Sequence, residues 1–192
     1  MATEKQCRAW TAVVYPESLP ANWRDLLDET HLQWVESPLH NKDKNADGED
    51  KKAHYHLVVV WDGPSRYSTA EKLFHETLNG TIPQPCASLR GLVRYMAHLD
   101  NPEKYQYPIT DIKAHGGADL DELLKPTAAY KQSALKEMMM YIMENQITEF
   151  CDFAFYCATE REDWFDILAN SNTLFLKEYI RSLKFKSLER ER

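Results

Sequence analysis

The sequence predicts an α+β domain built on an antiparallel sheet, followed by a small all-α domain. Through the first 115 residues, runs of β-branched and aromatic residues alternate with segments of helical periodicity. Residues 119–188 contain one proline and no glycine, and their apolar residues recur three and four positions apart. With 43% hydrophobic and 28% charged residues, the 192-residue chain has the composition of a folded protein, not of a disordered one. We therefore expect two domains, 1–125 and 126–192.

The first predicted elements are a strand, a helix and a second strand. Residues 8–15 are rich in β-branched and aromatic residues and end at Pro16, which is typical of a buried strand. A helix is predicted next, with Asn22 as its N-cap and apolar residues at helical spacing from Trp23. Residues 32–36 then predict a short second strand.

A polar hairpin loop and the strongest strand signal of the chain come next. Residues 41–52 are almost wholly polar and contain Asp47-Gly48, a turn signal between two apolar runs. Residues 53–61 form the predicted strand. Its alternation places His54, His56, Val58 and Val60 on one face, and Tyr55, Leu57 and Val59 on the other.

Three further elements complete the predicted sheet domain. Ser68–Glu71 resembles a capping box at the start of a helix that ends at Asn79-Gly80. A third helix is predicted over residues 89–99, and a last strand over 107–114. The resulting β-α-β-β-α-β alternation, with one extra helix, is compatible with a ferredoxin-like sheet.

The second domain is predicted to contain helices over residues 127–144, 148–157 and 171–185. Large apolar side chains are frequent for a domain of this size. Because so small a domain buries only about 60% of the surface of its unfolded chain, apolar area is left over for a subunit interface. We therefore expect a homo-oligomer, and a tight monomeric core is the alternative.

The charge of the chain restricts its partners. The net charge is −7, with −5 on residues 1–125 and −2 on residues 126–192. This balance argues against sequence-blind coating of nucleic acid, so any DNA contact must use a local patch. A single basic side chain is more often solvated surface than a phosphate contact. The candidates are Arg8, Lys42, Lys44, Lys51, Lys52, Arg90 and Arg94.

The cysteines and the longest apolar runs indicate the compartment. The four cysteines include no CxxC pair, so neither a zinc ribbon nor a disulfide framework is predicted, and a reducing cytosol fits. The longest apolar stretches, such as residues 57–61, are too short to span a bilayer. We expect no export or membrane segment.

Histidines around the hairpin form a candidate metal site. His54 and His56 share one strand face, although such a pair alone is more often simply half-buried. The hairpin should also bring His40 and Asp43 back beside His54. Three nitrogens and one carboxylate suit Mn²⁺, Co²⁺ or Zn²⁺ better than an all-oxygen Mg²⁺ site.

Calcium is the competing interpretation of the same loop. Asp43–Gly48 matches the first six positions of an EF-hand loop. The twelfth position, however, is His54 in place of glutamate, and strands are predicted on both sides. The pattern therefore argues against a calcium loop.

Four ordered motifs resemble those of RepB-type plasmid Rep proteins, which are rolling-circle replication initiators of the HUH endonuclease superfamily. The motifs are YPES at 15–18, SPLHNKD at 37–43, KAHYH at 52–56 and YMAH at 95–98. The resemblance implies a metal-dependent DNA endonuclease and strand transferase that acts on single- and double-stranded plasmid origin DNA in the bacterial cytoplasm. It also implies Mn²⁺ as the preferred ion, with Mg²⁺ or Co²⁺ as alternatives, and a hexameric ring assembled by the C-terminal domain.

Residue by residue, the resemblance assigns His54 and His56 to the metal, with His40 and Asp43 as the extra ligands of this branch. Tyr95 matches the nucleophile, which would form a covalent 5′-phosphotyrosine.

Several alternatives stay open at this point. Tyr105 and Tyr107 are rival nucleophiles, and His98, three residues after Tyr95, is either an auxiliary catalytic group or a packing residue on the same helix face. At the level of function, the alternative is a ferredoxin-like nucleic-acid-binding module or a metal-binding regulator without nuclease activity.

Overall fold

The structure is a computed structural model that describes residues 4–190. These residues form two compact units that divide between Lys125 and Pro126. The first unit contains a five-stranded antiparallel sheet with the strand order β4-β1-β3-β2-β5. The strands are β1 (Gln6–Val14), β2 (Gln33–Glu36), β3 (Tyr55–Arg66), β4 (Gln84–Pro85) and β5 (Lys113–His115). The predicted α+β class is confirmed.

Helices connect the strands of the first unit. The bounds are α1 (Trp23–Asp28), α2 (Tyr67–Glu71, continued by a π-helical segment over Lys72–Thr77), α3 (Leu89–Tyr95) and α4 (Leu120–Leu124), with a 3₁₀ turn over Ile109–Asp111. The series β1-α1-β2-β3-α2-β4, with β3 lying between β1 and β2, is the split βαβ arrangement of a ferredoxin-like sheet.

The final strand of this arrangement differs from the sequence prediction. The sixth element is the two-residue strand β4, which pairs with β1. The segment predicted as the final strand, 107–114, forms only the short strand β5, which joins the opposite edge of the sheet beside β2. The prediction missed β4 because a proline-containing pair of residues has too little periodicity to indicate a strand.

The sheet carries a different apolar core on each face. Leu57 and Val59 of β3 belong to a cluster that also contains buried residues of α1 and α2. Val58 belongs to a second cluster, with Val93 of α3 and Met96 just beyond it. The predicted alternation is confirmed, so His56 shares its sheet face with α3.

Several local predictions are corrected. Asn22 stands at the N-cap of α1, but its side chain makes no capping hydrogen bond. Ser68 lies inside α2, which begins one residue earlier. The helix predicted over 89–99 ends at Tyr95, and its cap is Ser88, whose hydroxyl accepts a hydrogen bond from the Gly91 amide at 3.1 Å.

The second unit is entirely helical. Its helices are α5 (Ala128–Glu144), α6 (Phe150–Glu160), α7 (Glu162–Ile167) and α8 (Thr173–Arg190), with a π-helical segment over Leu168–Asn172. They bury a core that includes Met138, Phe153, Trp164 and Ile180. The sequence predicted α5, α6 and α8 but not α7. Within the range that the structure describes, no helix is both long and apolar enough to cross a membrane.

Candidate active site

Three imidazole rings meet where the polar hairpin closes. His40 and His54 face each other across the hairpin, joined by two main-chain hydrogen bonds of 2.8 and 3.2 Å. His56 follows on the same side, with ring centroids 4.9 Å from His40 and 5.0 Å from His54. One nitrogen from each ring lies within 4.8 Å of the others, close enough to share one metal ion.

Main-chain carbonyls select the tautomers of two of these rings. His40 Nε2 lies 2.8 Å from the Met96 carbonyl, and His54 Nδ1 lies 2.7 Å from the Lys52 carbonyl. Because a carbonyl only accepts, both nitrogens must donate, which leaves lone pairs on His40 Nδ1 and His54 Nε2. His40 Nδ1 is buried and has no hydrogen-bond partner among the described residues. A buried lone pair without a partner fits a metal ligand.

Asp43 adds a carboxylate to this group. Its Oδ2 lies 3.4 Å from His40 Nδ1, and its Oδ1 accepts a hydrogen bond of 3.0 Å from the Tyr107 hydroxyl. Burial alone would raise the pKa of the Asp43 carboxyl, but the electrostatic interaction with His40 and the Tyr107 hydrogen bond bring this pKa below its usual value. Asp43 is therefore ionised at neutral pH.

Burial also favours the neutral form of two of the imidazoles, those of His40 and His56. Burial and, to a lesser extent, the electrostatic interactions with His40 and His54 lower the pKa of His56 to about 3. Burial also lowers the pKa of His40 below its usual value. Because only a neutral imidazole binds a metal, His40 and His56 are in their ligating form at neutral pH.

Tyr95 ends α3 beside this cluster. Its ring centroid lies 5.5 Å from that of His56 and 5.0 Å from that of His98. The tyrosine, the histidines and the hairpin line an open cavity of about 410 Å³. The cavity residues include Tyr15, Asp43, Lys51, Lys52, His54, His56 and Tyr95.

The rival tyrosines occupy other positions. Tyr107 is buried, and its hydroxyl both donates to Asp43 and accepts from the Lys42 amide at 2.9 Å. Burial and the Asp43 carboxylate raise the pKa of Tyr107 to about 12, which makes it a poor nucleophile. Tyr105 is half exposed, and its ring packs edge-on against Tyr107 at 4.8 Å. Of these three tyrosines, Tyr95 lines the cavity.

His98 lies beside the site, but not in the position that the sequence predicted. It lies beyond the end of α3 with a left-handed backbone (φ 58°), and so does not share a helix face with Tyr95. It is fully buried, and its Nδ1 donates to the Tyr105 carbonyl at 2.7 Å. Its Nε2 points toward Asp43 Oδ2, 3.9 Å away.

The predicted basic residues occupy different environments. Arg8 Nε donates to the Trp61 carbonyl at 3.0 Å, and Lys44 pairs with Asp50. Lys51 and Lys52 line the cavity, and Lys52 also pairs with Glu17 and lies 4.5 Å from the Tyr15 ring centroid. Lys42 is exposed on the hairpin. Arg90 pairs with Glu122 at the start of α4 and remains partly exposed.

Arg94 requires a correction. Its guanidinium is buried, binds both carboxylate oxygens of Asp100 at 3.0 and 3.1 Å, and donates to the Leu124 carbonyl. Arg94 therefore ties α3 to the segments that follow it and does not reach a DNA phosphate. Sequence reasoning missed Lys104, whose ammonium lies against Tyr95. No local spacing relates the two residues, because a loop returns Lys104 to the helix end.

Comparison with known proteins identifies the family. Residues 2–121 match the family model described as plasmid replication protein, origin binding domain, and residues 129–185 match that of replication protein RepB, C-terminal. The chain belongs to the RepB-type plasmid replication proteins. The resemblance drawn from the four sequence motifs is thereby confirmed, and all four lie within the origin-binding match.

Individual RepB-type relatives align along most of the chain. A replication protein RepB from Lactiplantibacillus plantarum is 46% identical over 180 residues, which cover 93% of this chain and 81% of that protein. A replication protein from Staphylococcus aureus is 43% identical over 181 residues, covering 94% and 90%. A replication protein RepB from Streptococcus agalactiae is 31% identical over 130 residues, covering 63% and 61%.

The depressed pKa of His56 predicts acid sensitivity of the metal-free protein. Below the pKa of about 6.5 of an unfolded histidine, the unfolded chain binds a proton at this position and the folded chain does not. Stability is therefore fully present above that pH and falls as pH approaches the folded pKa of about 3. We expect His56 to lower the free energy of unfolding by up to ~3 kcal/mol between pH 7 and pH 4.

Urea unfolding in the presence of a chelator, repeated across this pH range, measures the effect. His56→Asn should show a flatter dependence on pH, whereas His31→Asn, at an exposed position, should keep the wild-type slope. If the free energy of unfolding of His56→Asn depended on pH as steeply as that of the wild type, a lowered pKa of His56 would be contradicted.

Proposed function

We propose that this chain initiates rolling-circle replication by nicking one strand of plasmid origin DNA and later rejoining it, in the bacterial cytoplasm, through a covalent bond to Tyr95. The observation that carries the proposal is an open cavity lined by Tyr95, Asp43, His54 and His56, with the buried His40 imidazole directly behind the two other rings. This combination suits phosphodiester transfer better than a binding module, which needs neither a nucleophile nor ligands. The origin-binding family supports DNA as the substrate.

The chain has the residues to hold a divalent cation. His40 Nδ1, His54 Nε2, a nitrogen of His56 and the Asp43 carboxylate would be the ligands, and this mixed donor set suits Mn²⁺, Co²⁺ or Zn²⁺. The resemblance to RepB-type initiators favours Mn²⁺ among these ions, with Mg²⁺ or Co²⁺ as alternatives. When bound, such an ion withdraws charge from a non-bridging oxygen of the scissile phosphate and orients it. The carbonyls of Met96 and Lys52 fix the two ring orientations in advance.

Tyr95 would carry out the bond exchange. Its hydroxyl oxygen attacks phosphorus and loses its proton to solvent, while the bond from phosphorus to the 3′ oxygen breaks and that oxygen takes up a proton. The 5′ phosphate stays on Tyr95, and the free 3′-OH is left for a polymerase. Because the phosphotyrosine conserves the energy of the broken ester, attack by a 3′-OH reverses the step and joins the strand.

Lys51 and Lys52 would guide the DNA into the cavity. They lie on the hairpin side of it, near the exposed Lys42, while Tyr15 adds an aromatic ring to the same wall. The first domain carries a net charge of −5, so this patch must act over a short range. Contacts of this kind also make binding sensitive to salt.

Replacing the nucleophile tests the proposal most directly. In Tyr95→Phe, nicking and the covalent DNA adduct should be lost, because only the attacking oxygen is removed. The assay uses labelled single-stranded origin oligonucleotides and Mn²⁺, with products separated on a denaturing gel. Tyr105→Phe should behave as the wild type, and a chelator should abolish the adduct. An adduct that persists in Tyr95→Phe would assign the nucleophile to another residue.

The metal ligands are tested by direct titration. His54→Ala should weaken Mn²⁺ binding at least ~10-fold, because it removes a ligand whose orientation the fold has already fixed. Isothermal titration calorimetry gives the affinity, with His31→Ala as a control at an exposed histidine. Duplex origin binding should largely survive in His54→Ala. Unchanged Mn²⁺ affinity in this variant would remove His54 from the site.

We also propose that the second domain assembles the chain into a homo-oligomer, a hexamer as in the ring-forming relatives that the motifs resemble. Six large apolar side chains of α5, α6 and α8 are 49% to 73% exposed. They are Met140, Met143, Phe155, Leu174, Phe175 and Phe185. An interface that covers them would remove apolar area from water and gather several nuclease domains at one origin.

Analytical ultracentrifugation tests the assembly. The wild type should sediment as an oligomer at micromolar concentration, and the double variant Leu174→Ser, Phe175→Ser should dissociate toward the 22.4 kDa monomer. Because both side chains are exposed, the thermal unfolding of the monomer should change little. A wild-type chain that sediments at 22.4 kDa would contradict the proposal.

A further inference from the structure

The ammonium group of Lys104 lies directly against the Tyr95 hydroxyl. Lys104 Nζ donates a hydrogen bond of 2.9 Å to Tyr95 Oη and lies 4.4 Å from the centroid of the Tyr95 ring. The side chain is half-buried, so the interaction is partly withdrawn from water. A hydrogen bond from a charged donor strengthens when its acceptor becomes negative, and more so in such surroundings.

The loop that carries Lys104 is anchored at several points. The Lys104 amide donates to the Asn101 carbonyl at 3.0 Å, and the Gln106 side-chain amide donates to the carbonyls of both Asn101 and Lys104, at 2.9 and 3.0 Å. The Tyr107 amide then returns the chain to the Ala97 carbonyl at 3.3 Å. These hydrogen bonds hold the loop so that Lys104 lies at the end of α3.

The charge of Lys104 is directed at Tyr95. In the part of the chain that the structure describes, no carboxylate forms an ion pair with Lys104, whereas Lys44, Lys52 and Lys125 each pair with one. An ammonium group has donors and no acceptor, so it cannot take the phenolic proton. Since Lys104 donates to Tyr95 Oη, the hydroxyl hydrogen must point elsewhere, and solvent in the open cavity can accept it.

We propose that Lys104 is a catalytic residue of the transfer reaction; this proposal rests on the function proposed above. As Tyr95 Oη forms its bond to phosphorus and releases its proton to solvent, Lys104 stabilises the negative charge that passes through this oxygen. In the joining direction the oxygen of a 3′-OH forms a bond to phosphorus and loses its proton to solvent, while the bond from phosphorus to Oη breaks. The tyrosine oxygen leaves as an anion held by the same ammonium group and then takes up a proton from solvent. One side chain thus serves both directions, and it keeps its proton throughout.

Single-turnover kinetics at saturating DNA test this role. Lys104→Met keeps the length of the side chain and removes its charge. We expect it to slow nicking and joining by the same factor, ~10- to 100-fold, with KM changed less than about twofold. Lys104→Arg, which retains a charged donor, should keep most of the activity. Lys72→Met, on the exposed surface of the π-helical segment, is the matched control.

A phosphate-binding lysine would behave differently. In that case, Lys104→Met would raise KM and reduce the salt dependence of DNA binding by a slope of ~1, while the rate at saturation stayed the same. That result would overturn the proposal. Equal Mn²⁺ affinity and equal thermal unfolding in the wild type and Lys104→Met would exclude a merely structural effect on rate.

A spectroscopic measurement separates this proposal from the proposed function. The Raman doublet of Tyr95, obtained as wild type minus Tyr95→Phe without metal or DNA, reports whether the phenol oxygen accepts a strong hydrogen bond. Lys104→Met should remove this signature and Lys72→Met should leave it; an unchanged signature in Lys104→Met would overturn the contact. If the wild type forms no DNA adduct, the proposed function fails; if it does and Lys104→Met keeps the full rate, only the role of Lys104 fails.

Discussion

The pairing of His40 with His54 across the polar hairpin is the constraint on which the rest of the site depends. Two main-chain hydrogen bonds fix this register, and the side chains of β3 alternate between the two faces of the sheet from that point as far as Val60. A slip of one residue would turn His54 and His56 toward the opposite core and place Tyr55 on the face that α3 covers. The hairpin therefore fixes which side chains of β3 face the site.

One main-chain carbonyl joins the end of α3, which carries Tyr95, to the histidine cluster. Met96, the residue after Tyr95, accepts the hydrogen bond of His40 Nε2, so the candidate nucleophile and the candidate ligands are held by adjacent peptide units. Arg94, on the other side of Tyr95, is buried against Asp100 and Leu124. Anchors on both neighbours limit the movement of the tyrosine, which is the positional control that in-line attack on phosphorus requires.

Burial controls the charge of the histidine cluster independently of the net charge of the protein. The chain carries a net charge of −7, yet the cluster contains neutral imidazoles, because burial lowers the pKa values of His40 and His56. Cationic side chains lie close to this cluster: Lys51 and Lys52 line the cavity on the hairpin side, and Lys104 lies against Tyr95. Net charge describes the distant field of this molecule, whereas the chemistry depends on groups within a few bond lengths.

The sequence by itself determined the α+β class, the polar hairpin, the alternation along β3 and the grouping of His40, Asp43, His54 and His56, because these depend on periodicity and on turns between neighbours in the chain. Motif resemblance singled out Tyr95. Only the tertiary structure decided that β4 forms an edge strand of the ferredoxin-like sheet, that Arg94 is buried and that the Tyr107 hydroxyl donates a hydrogen bond to Asp43. The contact of Lys104 with Tyr95 likewise follows from the path of a loop. Such contacts arise when packing joins segments that no short-range pattern relates, so local periodicity carries no signal for them.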